Sequence, residues 1–258
     1  MDDARLESLS RKFPIIAEEF EPTAEELDVL TAWYDGAIRY LDDRIGGLLD
    51  FLSRHDELDD TYVIVTADHG ELFGEHGLEK HFYSLYEPVL RVPLVIDPPV
   101  DAPFGSQTVS ESVTLADLYP TILEFAGVTP PARSHADSFA ETGRPPTDRY
   151  VYAEVGSKLA DPIRRHHPSF GGSEFDGPLR SVRDEEYKLI RRPDGELELY
   201  NWREDRDERW NLVDEEPEIV EQLLWPIEHE LQPMSDSSFQ EHVTDPALKE
   251  HLEDLGYM

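Results

Sequence analysis

The stretch Thr61–Ile96, TYVIVTADHGELFGEHGLEKHFYSLYEPVLRVPLVI, constrains the fold more than any other part of the chain. It opens on a β-branched run, Tyr62-Val63-Ile64-Val65-Thr66, that soon meets Asp and Gly. That is the pattern of a buried parallel strand. Asp68, His69 and Gly70 follow at once. In open α/β sheets, ligands bind just outside the carboxyl ends of the strands. A carboxylate and an imidazole therefore fall side by side where such folds place chemistry. Gly70, Gly74 and Gly77 permit tight turns in a loop that also carries Glu71, Glu75, His76, Lys80 and His81. A second apolar strand, Val92 to Ile96, completes the unit, and Pro93 marks it as an edge strand or a strand start.

Helices are expected on either side. Thr23 with Glu26 three residues on is a capping-box pattern. Leu27, Leu30, Tyr34, Ala37, Leu41, Ile45, Leu48 and Leu52 then recur at spacings of three and four. They define one apolar face of a long helix ending near Ser53, with Gly46-Gly47 expected at a close approach to the sheet. Thr114 caps a second helix, Leu115 to Ala126, with Gly127 as its stop. The expected class is α/β: a doubly wound, mostly parallel sheet whose first strands are missing from this chain.

A Pro-rich link, Pro130 to Pro146, leads into a smaller region. There Tyr150–Glu154, Leu179–Val182, Tyr187–Arg191 and Glu196–Tyr200 read as strands of a small antiparallel sheet. Asp194-Gly195 signals a hairpin. Glu218–Trp225 and Ala247–Leu255 read as short helices, and residues 166–177 as a Gly/His/Pro loop that holds His166-His167. The domain division is 1–148 for the α/β part and 149–258 for the small C-terminal α+β subdomain.

Charge narrows the partners. The formal net charge is -34, from 57 Asp and Glu against 23 Lys and Arg. Nucleic acid and anionic membrane surfaces are excluded as partners. The apolar periodicity argues against disorder, and acids spread along the whole chain fit a surface adapted to concentrated salt, that is, a halophilic protein. With no cysteine, thiolate ligands, disulfides and a Cys nucleophile are excluded within the chain. No stretch reaches the roughly 20 apolar residues of a membrane helix. The opening MDDARLESLSRKF lacks the apolar core of a signal peptide, so the expected location is cytoplasmic.

Asp68 and His69 are the candidate metal ligands. A hard carboxylate beside a neutral imidazole suits Ca²⁺, Mg²⁺, Mn²⁺ or Zn²⁺ without deciding among them. Two ligands do not hold a catalytic ion, so others are required from elsewhere. Lys80 is the candidate anion clamp or leaving-group acid. His76, His81 and Arg91 rank below it: His76 as a brace within the loop, Arg91 as a partner of Glu87. Tyr83 and Tyr86 read as packing. His166-His167 reads as a polar loop.

These residues carry a resemblance. TYVIVTADHGE, GEHGL, Lys80 and YEPVLRVPLV resemble the second signature half of the sulfatases, within the alkaline phosphatase superfamily. YDGAIRYLD from Tyr34 and DLYPTILEFAG from Asp117 resemble the family's flanking helices. Val182-Arg183, Tyr187–Ile190, Glu198–Asn201, Asn211-Leu212 and Leu255–Tyr257 resemble its C-terminal sheet domain and chain end. The resemblance implies sulfate-ester hydrolysis. It makes Asp68 and His69 ligands of an active-site Ca²⁺ and directs Lys80 to the sulfate ester. The family's nucleophile is a formylglycine made from Cys or Ser in Cys/Ser-x-Pro-x-Arg, which this chain lacks. Thr129-Pro-Pro-Ala-Arg133 is only an echo of it, on the wrong side of the Asp-His strand. The chain therefore reads as the C-terminal portion of a sulfatase, inactive alone, with a separately encoded N-terminal portion as one possible partner. A phosphoester hydrolase or phosphomutase of the same superfamily is the nearest alternative, and a non-catalytic metal-binding or interaction protein is another.

Overall fold

The computed structural model describes residues 22–81, 83–131, 135–156 and 177–231, without the side chains of residues 79 and 80. The element order is α1 (Ala24–Arg54), β1 (Val63–Thr66), β2 (Leu72–Phe73), β3 (Glu79–Lys80), α2 (Glu87–Leu90), β4 (Leu94–Asp97), α3 (Leu115–Phe125), β5 (Val151–Val155), β6 (Leu179–Arg183), β7 (Tyr187–Arg191), β8 (Leu197–Asn201) and α4 (Pro217–His229). The mixed α/β class and the small antiparallel sheet match the sequence expectation. Among the described residues, no helix is long and apolar enough to cross a membrane. The expected helix at Ala247–Leu255 and the His166-His167 loop lie outside the described residues.

Helices α1 and α3 begin as their sequences dictate. The Thr23 side chain and the Glu26 carboxylate each satisfy the other's backbone N–H, which removes two orphan donors at the start of α1. Thr114 and Asp117 repeat the device on α3. Two expectations about α1 need correction. Its apolar face is covered only in part: Leu27, Leu30, Ile45 and Leu52 are half-buried, whereas Tyr34, Ala37, Leu41 and Leu48 are exposed. A Cβ on Gly46 or Gly47 would meet nothing within 4 Å, so these glycines do not mark a close approach to the sheet. The described part of that sheet is only the two short strands β1 and β4, too small to cover a helix of 31 residues.

The pairing of β1 also departs from expectation. It runs antiparallel to β4, from Val63 opposite Asp97 to Thr66 opposite Leu94, and the described residues contain no parallel pair. A parallel neighbour needs a crossover that carries the chain back along the sheet. Here the β2–β3 hairpin and one turn of α2 return the chain at the same end of β1, where the Thr66 hydroxyl donates to Pro93 O at 2.8 Å. Neither strand is buried: β1 is half-buried along most of its length, and Val95 of β4 is exposed.

The core lies in the C-terminal half. Strands β5-β6-β7-β8 form one antiparallel sheet in sequence order. Alternation along the strands sends Val182, Leu189 and Leu199 to one face, where they bury Leu223 and Ile227 of α4. Each fully buried Leu or Ile there contributes about 1.5–3 kcal/mol. The opposite face presents Leu179, Ile190 and Tyr200 to Tyr83, Leu85 and Tyr86. The segment that follows the site loop is thus packed onto the second sheet.

Charge reinforces that junction. Lys188, two positions before Ile190 and on the same face, is fully buried. Its ammonium donates to Leu85 O at 3.0 Å and to Glu87 Oε1 at 3.1 Å, and it pairs with Glu208. Glu208 also accepts from the Glu87 backbone N–H at 2.7 Å. Burial pushes both carboxyls up. At Glu87, Lys188 and Arg183 outweigh that and hold it below the usual carboxylate range, whereas at Glu208 burial prevails. Beside them, Glu198 accepts from the Tyr86 hydroxyl, the Tyr200 hydroxyl and Arg192 Nε, each at 2.7 Å. Burial raises the Glu198 carboxyl, but the hydrogen bonds and the guanidinium hold it low.

Candidate active site

The site lies at the carboxyl end of β1. Asp68 and His69 turn there, with Asp68 Oδ1 accepting from the His69 backbone N–H at 3.0 Å. Gly70 sets where the turn sits. Its N–H donates to Val89 O at 2.8 Å, and a Cβ in its place would lie 2.0 Å from Pro88 O. No side chain fits between the turn and α2. We expect Gly70→Ala to lower stability by about 1–3 kcal/mol, as overpacking against backbone does. A thermal melt matching the wild type would show that this approach is not required.

Next comes a hairpin. Leu72 pairs with Lys80 and Phe73 with Glu79, around a turn at Glu75–Gly77. Gly74 has φ 108°, and a Cβ there would meet Leu27 Cδ1 at 2.8 Å. The hairpin tip therefore sits against α1, where the Tyr34 and Phe73 rings meet edge-on at 5.2 Å. Continuing the ladder by one position sets Glu71 opposite His81.

That juxtaposition makes a cluster. His81 Nδ1 donates to Glu71 Oε1 at 2.8 Å. The His69 and His81 rings lie 4.0 Å apart at 32°. His69 Nδ1 donates to Gly70 O at 2.9 Å, and its Nε2 lies 3.8 Å from Asp68 Oδ2. One donor atom from each of His69, Glu71 and His81 falls within 4.8 Å of the other two. His69, Glu71 and His81 are half-buried and Asp68 is exposed, so an ion or a substrate can reach them.

The other candidates fall elsewhere. The role expected of Lys80 rests on its side chain, which lies outside the described residues; its backbone is a hairpin residue. His76 does not brace the loop internally: its ring stacks on Tyr86 at 3.6 Å and 3°, with φ 55°. Desolvation against that ring pushes its imidazole below the usual value. Arg91 is exposed at the end of α2, and its positive charge helps hold Glu87 low. Glu71 was not among the predicted ligands, although the Gly-flanked spacing of 71 and 81 about the hairpin turn is a signal that finds it.

Comparison with known proteins identifies the family. The family model described as Sulfatase matches residues 8–128, and the model described as N-sulphoglucosamine sulphohydrolase, C-terminal, matches residues 74–236. The chain belongs to the sulfatase family. Arylsulfatase K of Xenopus laevis is 31% identical over 211 residues, covering 78% of this chain and 37% of that protein. N-acetylglucosamine-6-O-sulfatase of Bacteroides thetaiotaomicron is 30% identical over 191 residues, covering 69% of this chain and 31% of that protein. Among solved structures, a protein in complex with its substrate D-glucosamine-2-N,6-O-disulfate superposes with TM-score 0.61 at 27% identity, over 75% of this chain and 38% of that one. A phosphonate monoester hydrolase from Silicibacter pomeroyi gives TM-score 0.65 at 26% identity, over 87% of this chain and 46% of that one. The chain spans about a third of the length of the curated relatives it matches, from 31% to 37%.

Proposed function

We propose that this chain supplies part of the active site of a sulfuric ester hydrolase. The observation that supports this most directly is the convergence of Asp68, His69, Glu71 and His81 at the carboxyl end of β1, inside a chain matched by sulfatase models across both halves. A divalent cation at such a site supplies charge that stabilises the transferring sulfuryl group. In this reading Asp68 and His69 are two of its ligands, and Lys80 approaches the sulfate oxygens. The nucleophile comes from a segment outside these 258 residues, on the same polypeptide or a separate one, because no Cys and no Ser-x-Pro-x-Arg occurs here.

Ca²⁺, the ion implied by the resemblance, takes about 6 to 8 oxygen ligands. Among the described residues the donors are two carboxylates and two imidazoles, which is only part of such a shell, so its remaining oxygens would come from the segment that carries the nucleophile.

The likeness to a phosphonate monoester hydrolase supports a second reading in which the ester is a phosphonate. Turnover of paired aryl esters separates the two. Assembled with a nucleophile-bearing segment, the polypeptide is expected to cleave aryl sulfate faster than aryl phosphonate, and the reverse order would overturn the sulfatase reading. The 258 residues alone are expected to show no turnover above that of His69→Ala, since loss of a hydrolase nucleophile costs about a millionfold. Activity of the chain alone that disappears in Lys80→Ala would sink the proposal that the nucleophile lies elsewhere.

A further inference from the structure

We propose that His76 is a positioning residue that latches the β2–β3 hairpin, and with it Glu71 and His81, onto the segment packed against the second sheet, and that this latch loosens in acid. The inference goes beyond the sulfatase reading and does not rest on it, because it concerns what holds the hairpin in place, whatever reaction the hairpin serves. It stands on the imidazole of His76 lying flat on the ring of Tyr86, with 3.6 Å between centroids and 3° between planes.

The hairpin needs such a hold. Its ladder is two positions long, Leu72 with Lys80 and Phe73 with Glu79, and a two-stranded hairpin alone is at best marginally stable in water. Its tip is closed by Gly74 N–H to Leu78 O at 2.8 Å and by Leu78 N–H to Glu75 O at 2.9 Å. Docking supplies the rest. On one side Phe73 and Gly74 meet Tyr34 and Leu27 of α1. On the other, Leu78 packs against the core around Tyr86 and Tyr200, and His76 covers the Tyr86 ring. Tyr86 is itself fixed: its hydroxyl donates to Glu198 Oε2 at 2.7 Å and accepts from Arg192 at 3.2 Å. The surface beneath His76 therefore belongs to the second sheet and not to the hairpin. His76 reaches it at φ 55°, a strained region for a residue with a side chain, which persists where the surroundings enforce it. Glycine would suit that turn better, so the imidazole is explained by its contact and not by the turn.

The contact favours a neutral ring. Burial against Tyr86 lowers the imidazole most, and the positive charge of Lys188 on β7 acts in the same sense. Glu198 of β8, the Asp207 backbone in the loop after β8 and Glu75 of the turn favour the proton, but together they do not offset the burial, and the ring stays below its ordinary value of 6.5. A histidine shifted down in this way binds fewer protons latched than released. The latch is therefore at full strength above pH 6.5 and weakens as pH falls from there through the lower value of the latched ring. The residue is otherwise exposed, so protons reach it without unfolding. Histidines as a class titrate between about pH 5 and pH 8, so the response of His76 is read against a variant in which that position alone does not titrate.

The experiment is amide hydrogen exchange of the full 258-residue chain in concentrated KCl, read as protection at Gly74 and Leu78 and corrected for the intrinsic pH dependence of exchange. It compares about pH 8 with about pH 5, the range in which histidine titrates. His76→Phe keeps a ring on Tyr86 and carries no proton. His76→Asn keeps the left-handed turn, which Asn tolerates, and loses the stack. At the higher pH the wild type should be protected about 2- to 10-fold more than His76→Asn, the range expected of an aromatic pair. At the lower pH it should fall toward the His76→Asn level, while His76→Phe loses less than the wild type does. Circular dichroism establishes that each variant is folded. Protection in His76→Asn equal to the wild type at the higher pH makes His76 a turn residue only and overturns the latch. A wild-type loss between the two pH values no greater than that of His76→Phe overturns the acid response. The stack also has its own signature, because ring protons of His76 held over the Tyr86 face are displaced upfield in the NMR spectrum. Absence of that displacement in the wild type at the higher pH overturns the proposal without recourse to any variant. Exchange is read without turnover, so failure of the latch and failure of the sulfatase reading are distinguishable.

Discussion

Lys188→Ala is expected to cost about 3–5 kcal/mol, the effect of breaking a buried ion pair from one side. The ammonium is fully buried and satisfies Leu85 O, Glu87 and Glu208 at once. Its removal leaves two carboxylates in a site with little water, with Arg183 reaching Glu87 alone at 3.3 Å. Lys188→Met, which keeps most of the volume, should cost nearly as much, because the uncompensated charge and not the cavity sets the cost. Glu208→Gln should be far milder. Burial raises the Glu208 carboxyl, which offsets part of what its ion pair with Lys188 contributes, and an amide oxygen still accepts the Glu87 N–H. Urea unfolding of the three variants checks the order. If Lys188→Met unfolds at the wild-type midpoint, the buried charge does not hold the junction together.

The second large effect is expected from salt. At -34 the folded chain concentrates like charge that the unfolded chain spreads out. The Debye length falls from about 10 Å at 0.1 M to about 3 Å at 1 M, which removes most of that repulsion. A gain of about 3 kcal/mol across this range corresponds to roughly 10 °C in Tm for a chain of this size. Kosmotropic salts such as sulfate strengthen apolar burial as well, so KCl is the salt to use: its main action is screening, and screening saturates. Melting in KCl should therefore rise steeply to about 1 M and then flatten. A Tm independent of KCl from 0.1 to 2 M would show that the acidic surface is not an adaptation to salt.

Local signals in the sequence were legible because their partners lie within four residues. The Thr23/Glu26 box, the Thr114 cap, the Gly127 stop at φ 72° and the Asp194-Gly195 turn with Gly195 at φ 94° all appear where the residues placed them. So does the alternation that builds β5 to β8. What was not legible depends on distant partners. Lys188 reads as an ordinary strand lysine until Glu87, 101 positions away, is brought to it. The antiparallel pairing of β1 with β4 turned on the path of the intervening hairpin, which the apolar content of the two strands does not encode. Glu71 and His81 are an intermediate case. Their pairing follows from the hairpin register, which the charge of a single loop residue does not carry. The face of α1 is the opposite case: its periodicity is plain in the sequence, yet periodicity says only that a surface is apolar, not that anything covers it.

The Lys188 junction bears on how such a chain can be recombined. By secondary structure, the natural place to cut and rejoin homologues is the link between α3 and β5. A crossover there takes Glu87 from one parent and Lys188 and Glu208 from the other. Any parent pair that differs in the sign or number of these groups yields a chimera with an unbalanced charge in its interior, however well the two surfaces match. The three residues must be inherited together, so the visible seam in the chain is not a point at which the molecule divides into exchangeable parts.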